Sequence, residues 1–271
     1  MNRWLGRSVL VATLILGGIT TFAQKRDREM TCNDNWQSDR LVGHCEIQEQ
    51  ILAPGGVISV DARKNGGIAV RGWDRNEIGM RAKVQAAALT QSEAEALAKQ
   101  IRIQTAGLKI FADGPEMTNN ANWSVSYQLN VPRRSDVSLE THNGGIVISD
   151  VSGRLEFSAL NGGVVLKHVA GSVKGSTTNG GLVVELSGDR WDGDGLDVKT
   201  TNGGVVMSVP DNYSAHLETG TVNGNLSVDF PVTVQGKITK ELAMNLGAGG
   251  ATVRARTTNG GVKIKRTSFS N

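Results

Sequence analysis

The stretch "GDRWDGDGLD", residues 188–197, holds Asp189, Asp192, Asp194 and Asp197. Carboxylates at this spacing are the chain's one candidate for calcium, a hard cation that takes oxygen ligands. The run lacks the full D-x-[DN]-x-[DN]-G order and the distant glutamate of a calcium loop. Asp and Gly also build ordinary exposed turns, so the turn is the preferred reading, with Trp191 as a lid on the end of that loop. Cys32 and Cys45 are the only cysteines, and His44 stands beside the second. Two thiols and one imidazole are too few for a structural zinc site. In an oxidising compartment the pair is expected to close a disulfide that ties down the N-terminal segment, worth about 3 kcal/mol in the chain-entropy model. His44, His142, His168 and His216 sit at unrelated positions, and none recurs at a ligand spacing. They are expected at the surface.

No G-x-S-x-G nucleophile motif is present. No glycine loop precedes a helix to cradle phosphate. A polysaccharide-cleaving enzyme would need Asp189, Asp192, Asp194 or Glu218 to converge with Arg or Lys in one groove. The sequence therefore assigns no catalytic residue, no cofactor and no metal.

The elements that would position such groups follow from composition and repetition. The chain has 271 residues with 34 Gly but only 5 Pro. Abundant Val, Ile, Leu and Thr beside that glycine point to short strands and tight turns. Residues 1–23 carry Arg3 and Arg7, then an apolar run from Val9 to Phe22, then Thr21-Phe22-Ala23 as a cleavage site. They read as a signal peptide, with an uncleaved anchor as the alternative. No cysteine near the cleavage point offers a site for lipid attachment, and no later segment is long and apolar enough to span a membrane. Its loss takes two of the 29 basic residues and leaves 27 against 26 acidic ones. A near-neutral exported protein is not a nucleic-acid binder.

The remaining chain spells one turn repeatedly. Aligned on Asn143, Asn161, Asn179, Asn202, Asn223 and Asn259, the spacings are 18, 18, 23, 21 and 36 residues. The last gap predicts one rung without the turn, irregular because "GAGGA" replaces Asn-Gly-Gly, with Ile238 in the column six before the Asn. That column otherwise reads Val137, Leu155, Val173, Leu196, Leu217 and Val253. Three after gives Ile146, Val164, Leu182, Val205, Leu226 and Val262, and five after gives Ile148, Leu166, Val184, Met207, Val228 and Ile264. Two before, every residue is small: Thr141, Ala159, Thr177, Thr200, Thr221 and Thr257. Alternate positions of a strand share a face, so these columns point inward. One rung cannot bury its own face, and stacked rungs can.

The fold class is mainly β: a β-solenoid, or single-stranded parallel β-helix, of stacked turn-bearing coils over residues 133–271. Four after the Asn, an outward position, stand Val147, Val165, Val183 and Val206. Either another part of the chain covers this apolar stripe or it is an interface for a partner or a second copy. Five before, Ser138, Glu156, Lys174, Asp197, Glu218 and Arg254 mix signs and read as a solvated face.

Residues 24–49 form a polar segment with the cysteine pair. Residues 50–132 read as a β-rich cap. It holds a further Asn-Gly-Gly at 65–67, out of register by one residue before the turn, which predicts a bulge. "LTQSEAEALAKQIRI" is its one helix, with Thr90 and Glu93, or Ser92 and Glu95, as a capping box. Ala94, Leu97, Ala98 and Ile101 form a narrow stripe that suits a cap on the solenoid.

The pieces "PGGVISVDARKNGGIAVRGWDRNEI", "VSYQLNVPRRSDVSLETHNGG" and "TTNGGV" together resemble a bacterial family of exported adhesin-like proteins of the DUF4097, or adhesin "head", type. The resemblance covers roughly residues 47–266 and departs from the simplest pattern at the cysteine pair and the Asp-rich insertion. It implies a β-solenoid, no catalytic residues, and binding to a surface, glycan or envelope protein. The expectation is a non-catalytic binding scaffold in the periplasm, on the cell surface or secreted, with self-association possible through the valine stripe. An envelope-stress sensing or regulatory partner is the alternative, and a polysaccharide-active enzyme a more distant one.

Overall fold

The computed structural model describes residues 30–33, 40–231 and 240–267. The expected signal peptide, residues 1–23, and Ile238 lie outside the described residues. Two sheets of ten strands each pack face to face around one core. Each rung places the strand before its Asn in sheet I and the strand after it in sheet II. Val137–Asn143, Ser152–Asn161, Ala170–Asn179 and Gly195–Asn202 pair in parallel in sheet I. Ile146–Ser149, Val164–Lys167, Leu182–Glu185 and Val205–Pro210 pair in parallel in sheet II. The apolar columns point into the core: Leu155, Val173, Val164 and Leu166 have no exposed surface. The protein is mainly β, with a solenoid-like stack at its centre.

The corner explains why the turn repeats. Each Asn side chain donates to the next one along the stack: Asn161 to Asn143, Asn179 to Asn161, Asn202 to Asn179 and Asn259 to Asn202, all at 2.8 Å. The glycine after each Asn lies so close to the neighbouring rung that a Cβ on Gly162 would overlap the Gly144 carbonyl, and one on Gly180 that of Gly162. Any side chain there forces the rungs apart. The next glycine is less constrained: a Cβ on Gly181 would sit 3.6 Å from the Gly204 oxygen. The threonine column has a polar reason as well as a steric one. Thr177, Thr200 and Thr257 each donate at 2.7 Å to a glycine carbonyl of the neighbouring rung, satisfying a backbone acceptor that the corner would leave open.

The rung at Asn65 adds to the N-terminal side of the stack. Ile58–Asp61 pairs with Val137–Asn143, and Ile68–Trp73 with Ile146–Ser149. The bulge is present: Asp61 faces Glu140 while Asn65 faces Asn143, so three residues on one side oppose two on the other. Arg63 absorbs the extra residue with φ +55°. That left-handed conformation costs a non-glycine residue roughly 1 kcal/mol. Beyond this rung Ala121–Pro132 joins Ile68–Trp73 in parallel, and Ile78–Ala88 and then Val42–Leu52 extend sheet II antiparallel. Cys32 and Cys45 are joined, which fastens residues 30–33 to the last of these strands. Helix α1 (Gln91–Ala98) starts at a full capping box between Thr90 and Glu93. Its Leu97 and Ala98, with Ile101, enter the core beside Val84 and Ala86. The helix so packs against these antiparallel strands at the end of the stack.

The expected order of stacking is corrected at the other end. No further rung fills the gap between Asn223 and Asn259 among the described residues. Thr252–Asn259 instead lies between Gly195–Asn202 and Ala215–Asn223, parallel to both. Val262–Thr267 likewise lies between Val205–Pro210 and Leu226–Val228. The last rung in sequence is thus inserted ahead of its predecessor, and the spatial order is Asn202, Asn259, Asn223. The gap itself supplies Glu241–Leu246, an antiparallel strand on the edge of sheet I. Insertion repairs an electrostatic fault. Stacked in chain order, Asp197 would face Glu218. With Arg254 between them, the row reads Glu156, Lys174, Asp197, Arg254, Glu218 and alternates in sign throughout.

Candidate functional site

The four aspartates of the calcium reading are not brought together. Asp197 lies in the strand Gly195–Asn202 and turns to Arg254 at 3.1 Å. Asp189 and Asp192 act through their backbone carbonyls, which accept from Ser214 and Gly171. Among the described residues no three His, Cys, Asp or Glu side chains are placed to hold a metal ion. Trp191 is buried, and its ring N–H donates to the Gly171 carbonyl at 3.0 Å, so it plugs the side of the stack beneath that loop.

Two outer faces remain. On sheet I, the Glu218 carboxylate accepts from Arg254 at 2.8 Å and from Arg256 at 2.9 Å. This convergence of a carboxylate with arginines is what the enzyme reading asked for, but its electrostatics run the wrong way. Hydrogen bonds from Arg254 to Glu218, from the Arg154 backbone and guanidinium to Asp136, and from Arg133 to Asp74 hold all three carboxyls below the usual carboxylate range. A general acid for glycoside cleavage needs its affinity for the proton raised, not lowered. These groups are the fixed charges of ion pairs.

On sheet II, Val147, Val165, Val183 and Val206 stand in register, continued by Ala69 at one end and Lys263 at the other. Val147 is exposed and the other three are half-buried. At the ~4.8 Å spacing of neighbouring strands, four valines cover a strip of roughly 15–20 Å. A stable interface buries about 800 Å² on each partner, well beyond one such strip.

The third feature belongs to the bulge. Beside it a cleft of about 650 Å³ opens on the outer face of sheet I, where Ile58–Asp61, Lys109–Asp113 and Val137–Asn143 run side by side. The Arg63 guanidinium is held 3.1 Å from Asp61 and 3.8 Å from Asp113, and lies 4.5 Å over the Phe111 ring. Glu140, Lys64, His142 and Leu160 complete its mouth. Among the described residues neither Glu140 nor Lys64 makes an ion pair. The sequence marked this place only as a bulge. A one-residue slip before Asn65 was visible, but that it would open a cleft depends on Lys109–Asp113, a strand from elsewhere in the chain.

The family model described as Toastrack DUF4097 matches residues 62–265, about three-quarters of the chain. The chain belongs to the DUF4097 family. Among curated proteins none matches this DUF4097 chain significantly. Solved structures similar to it include "a putative cell adhesion protein" from Clostridium sporogenes, 12% identical with a TM-score of 0.49, covering 83% of this chain and 100% of that one. "A putative adhesin" from Bacteroides fragilis is 9% identical with a TM-score of 0.34, covering 82% and 97%. A "putative lipid binding protein" from Parabacteroides distasonis is 8% identical with a TM-score of 0.31, covering 83% and 97%. At such identities no function passes from these proteins to this DUF4097 chain.

The sequence missed a second corner of the DUF4097 stack. Asp150 and His168 turn the chain there at φ +58° and +51°. The His168 ring nitrogen lies 3.1 Å from the Asp150 carboxylate. Asp and His are both enriched in the left-handed region, but each is common elsewhere, so neither marked the corner clearly.

Proposed function

We propose that this protein is an exported, non-catalytic binding protein of the cell envelope that works as a rigid platform. One observation carries the reading: the residues that repeat at the corners are engaged in holding rungs together. Asn pairs with Asn, Thr with a glycine carbonyl, and glycine permits the close approach. What is left for function is therefore a pair of stiff outer faces, one charged and one bearing the valine row. The Cys32–Cys45 disulfide suits an oxidising compartment. No helix among the described residues is long and apolar enough to cross a membrane. The valine row, though small, adds an apolar contact that gains strength when many copies meet one surface.

The test is co-sedimentation of residues 24–271 with purified envelope fractions: membranes, cell-wall sacculi and whole cells. Saturable binding to one fraction is expected. Lys199→Glu on the charged face and the pair Val165→Lys/Val183→Lys on the valine row then map the contact, since each leaves the core columns intact. Absence of saturable binding to every fraction overturns the reading.

A further inference from the structure

Six of the seven rungs enter their corner in register, and the rung at Asn65 is the one that does not. The break puts Arg63 in a left-handed conformation that disfavours any long side chain. The same residue forms the wall of the 650 Å³ cleft. Strain of this kind persists where the surroundings over-determine it, and it clusters at ligand-binding positions. Here the surroundings are Asp61, Asp113 and the Phe111 ring, which fix the guanidinium at the rim of the cleft.

We propose that this cleft binds a sugar residue of a neutral or amino-bearing glycan. The inference rests on the reading of the protein as a binding platform and names the chemistry of one of its contacts. A sugar ring presents hydroxyls around its edge and C–H groups on its faces, so its site needs convergent polar groups beside a small apolar wall. The cleft has both. Glu140 and Asp113 are acceptors, and Arg63 and Lys64 are donors. Leu160, 37% exposed, and Met117 supply the apolar wall. The hydroxyls of Ser158 and Thr178 lie on the same surface. The volume lies within the range of small-molecule sites, about 300–1,000 Å³.

Charge narrows the class. Asp61, Asp113 and Glu140 outnumber Arg63 and Lys64, and Arg63 is already shared between two of the carboxylates. The lining is thus net negative, with Glu140 outside any ion pair among the described residues, which disfavours uronic acids and phosphates and favours neutral or aminated sugars. The Tyr127 hydroxyl is buried and, among the described residues, has no hydrogen-bond partner. The charges that act on it are Asp61, Arg63 and Asp113.

The experiment is saturation-transfer NMR and calorimetry on residues 24–271 with four probes: chitotriose, its deacetylated amino form, maltotriose and trigalacturonate. Binding of at least one of the first three, with trigalacturonate weaker, is expected. Glu140→Gln should weaken binding about tenfold or more, the effect of one lost charge-assisted hydrogen bond. Arg63→Gly is the sharper variant. Glycine accepts the left-handed backbone, so the melting temperature should hold or rise while binding is lost. If none of the four sugars binds, or trigalacturonate binds best, the proposal fails. It also fails if Arg63→Gly lowers the melting temperature and leaves affinity unchanged, because Arg63 is then only a staple of the corner. Failure here with envelope co-sedimentation intact removes the sugar site and leaves the platform; loss of both removes the platform.

Discussion

The corners at Asn161 and Asn65 use the same three residues and do different things. At Asn161 the strand runs into the turn without a break, the amide ladder continues at 2.8 Å, and the outer face stays flat. At Asn65 one extra residue lifts Arg63 out of the plane, and a cleft opens beside it. A repeat tolerates no variation where each rung touches the next, so chemistry collects where the repeat is broken. The difference separates positions that hold the stack from positions that are free to act.

The largest effect should come from the corner itself. Gly180→Ala would drive a Cβ into the Gly162 carbonyl, whereas Gly181→Ala meets the Gly204 oxygen at 3.6 Å. Chemical denaturation should show Gly180→Ala losing roughly 3 kcal/mol or more, or failing to fold, while Gly181→Ala loses about 1 kcal/mol or less. Equal losses would mean that rungs are not locked by that glycine.

The threonine column gives the next effect. Thr177→Val removes the donor to the Gly162 carbonyl and should cost about 1–2 kcal/mol. Ala159 occupies the same column without a hydroxyl, so Ala159→Thr should restore a bond to the Gly144 carbonyl and raise the melting temperature. A fall in melting temperature for Ala159→Thr would show the site too tight for the hydroxyl.

Smaller again is the charged row. Arg254 holds the Glu218 carboxyl below its ordinary 4.5, so the contribution is fully present above about pH 4.5. It is lost as pH falls through the lower, folded value. Glu218→Gln should therefore destabilise by about 1 kcal/mol at pH 7, with Glu218 part-exposed and screened. Wild type and variant should converge in acid. A gap that persists to pH 3 would assign the loss to packing rather than charge.

The smallest effect tests which rung is last. The corner at Asn223 continues with Gly224 and Asn225, and its third residue is the only one in the stack that is not glycine. The second glycine of each turn approaches the next rung along the stack, and among the described residues no rung lies beyond Asn225. Asn225→Gly should change stability by less than about 0.5 kcal/mol. The reverse change in mid-stack, Gly181→Asn, should cost several times more.

Asn225 is thus the residue from which the insertion could have been read, together with the like charges of Asp197 and Glu218. Both were faint beside the regular spacing of the asparagines. The columns through Leu155, Val164 and Leu166 were legible because a strand's period of two leaves no ambiguity about its buried face. The helix was legible because Thr90 and Glu93 cap it locally. The cleft was not, because its walls come from strands far apart in the chain. The separation of Asp189, Asp192, Asp194 and Asp197 was hidden for a related reason. Closeness in sequence put them in one run, but Asp197 lies within the strand Gly195–Asn202 and is drawn to Arg254.

By itself the sequence determined what one rung looks like: its inward columns, its small threonine position, its Asn-Gly turn and the disulfide at its approach. Local sterics and alternation decide those, and both are written within about twenty residues. Only the tertiary structure decided which rung lies beside which. Rungs that share the same columns are nearly interchangeable neighbours, so the stacking order rests on weaker terms, such as an alternating row of charges and one turn that may end in Asn only at an edge. It also decided that the one irregular corner, at Arg63, would face a strand bearing Phe111 and Asp113 and so become a cleft.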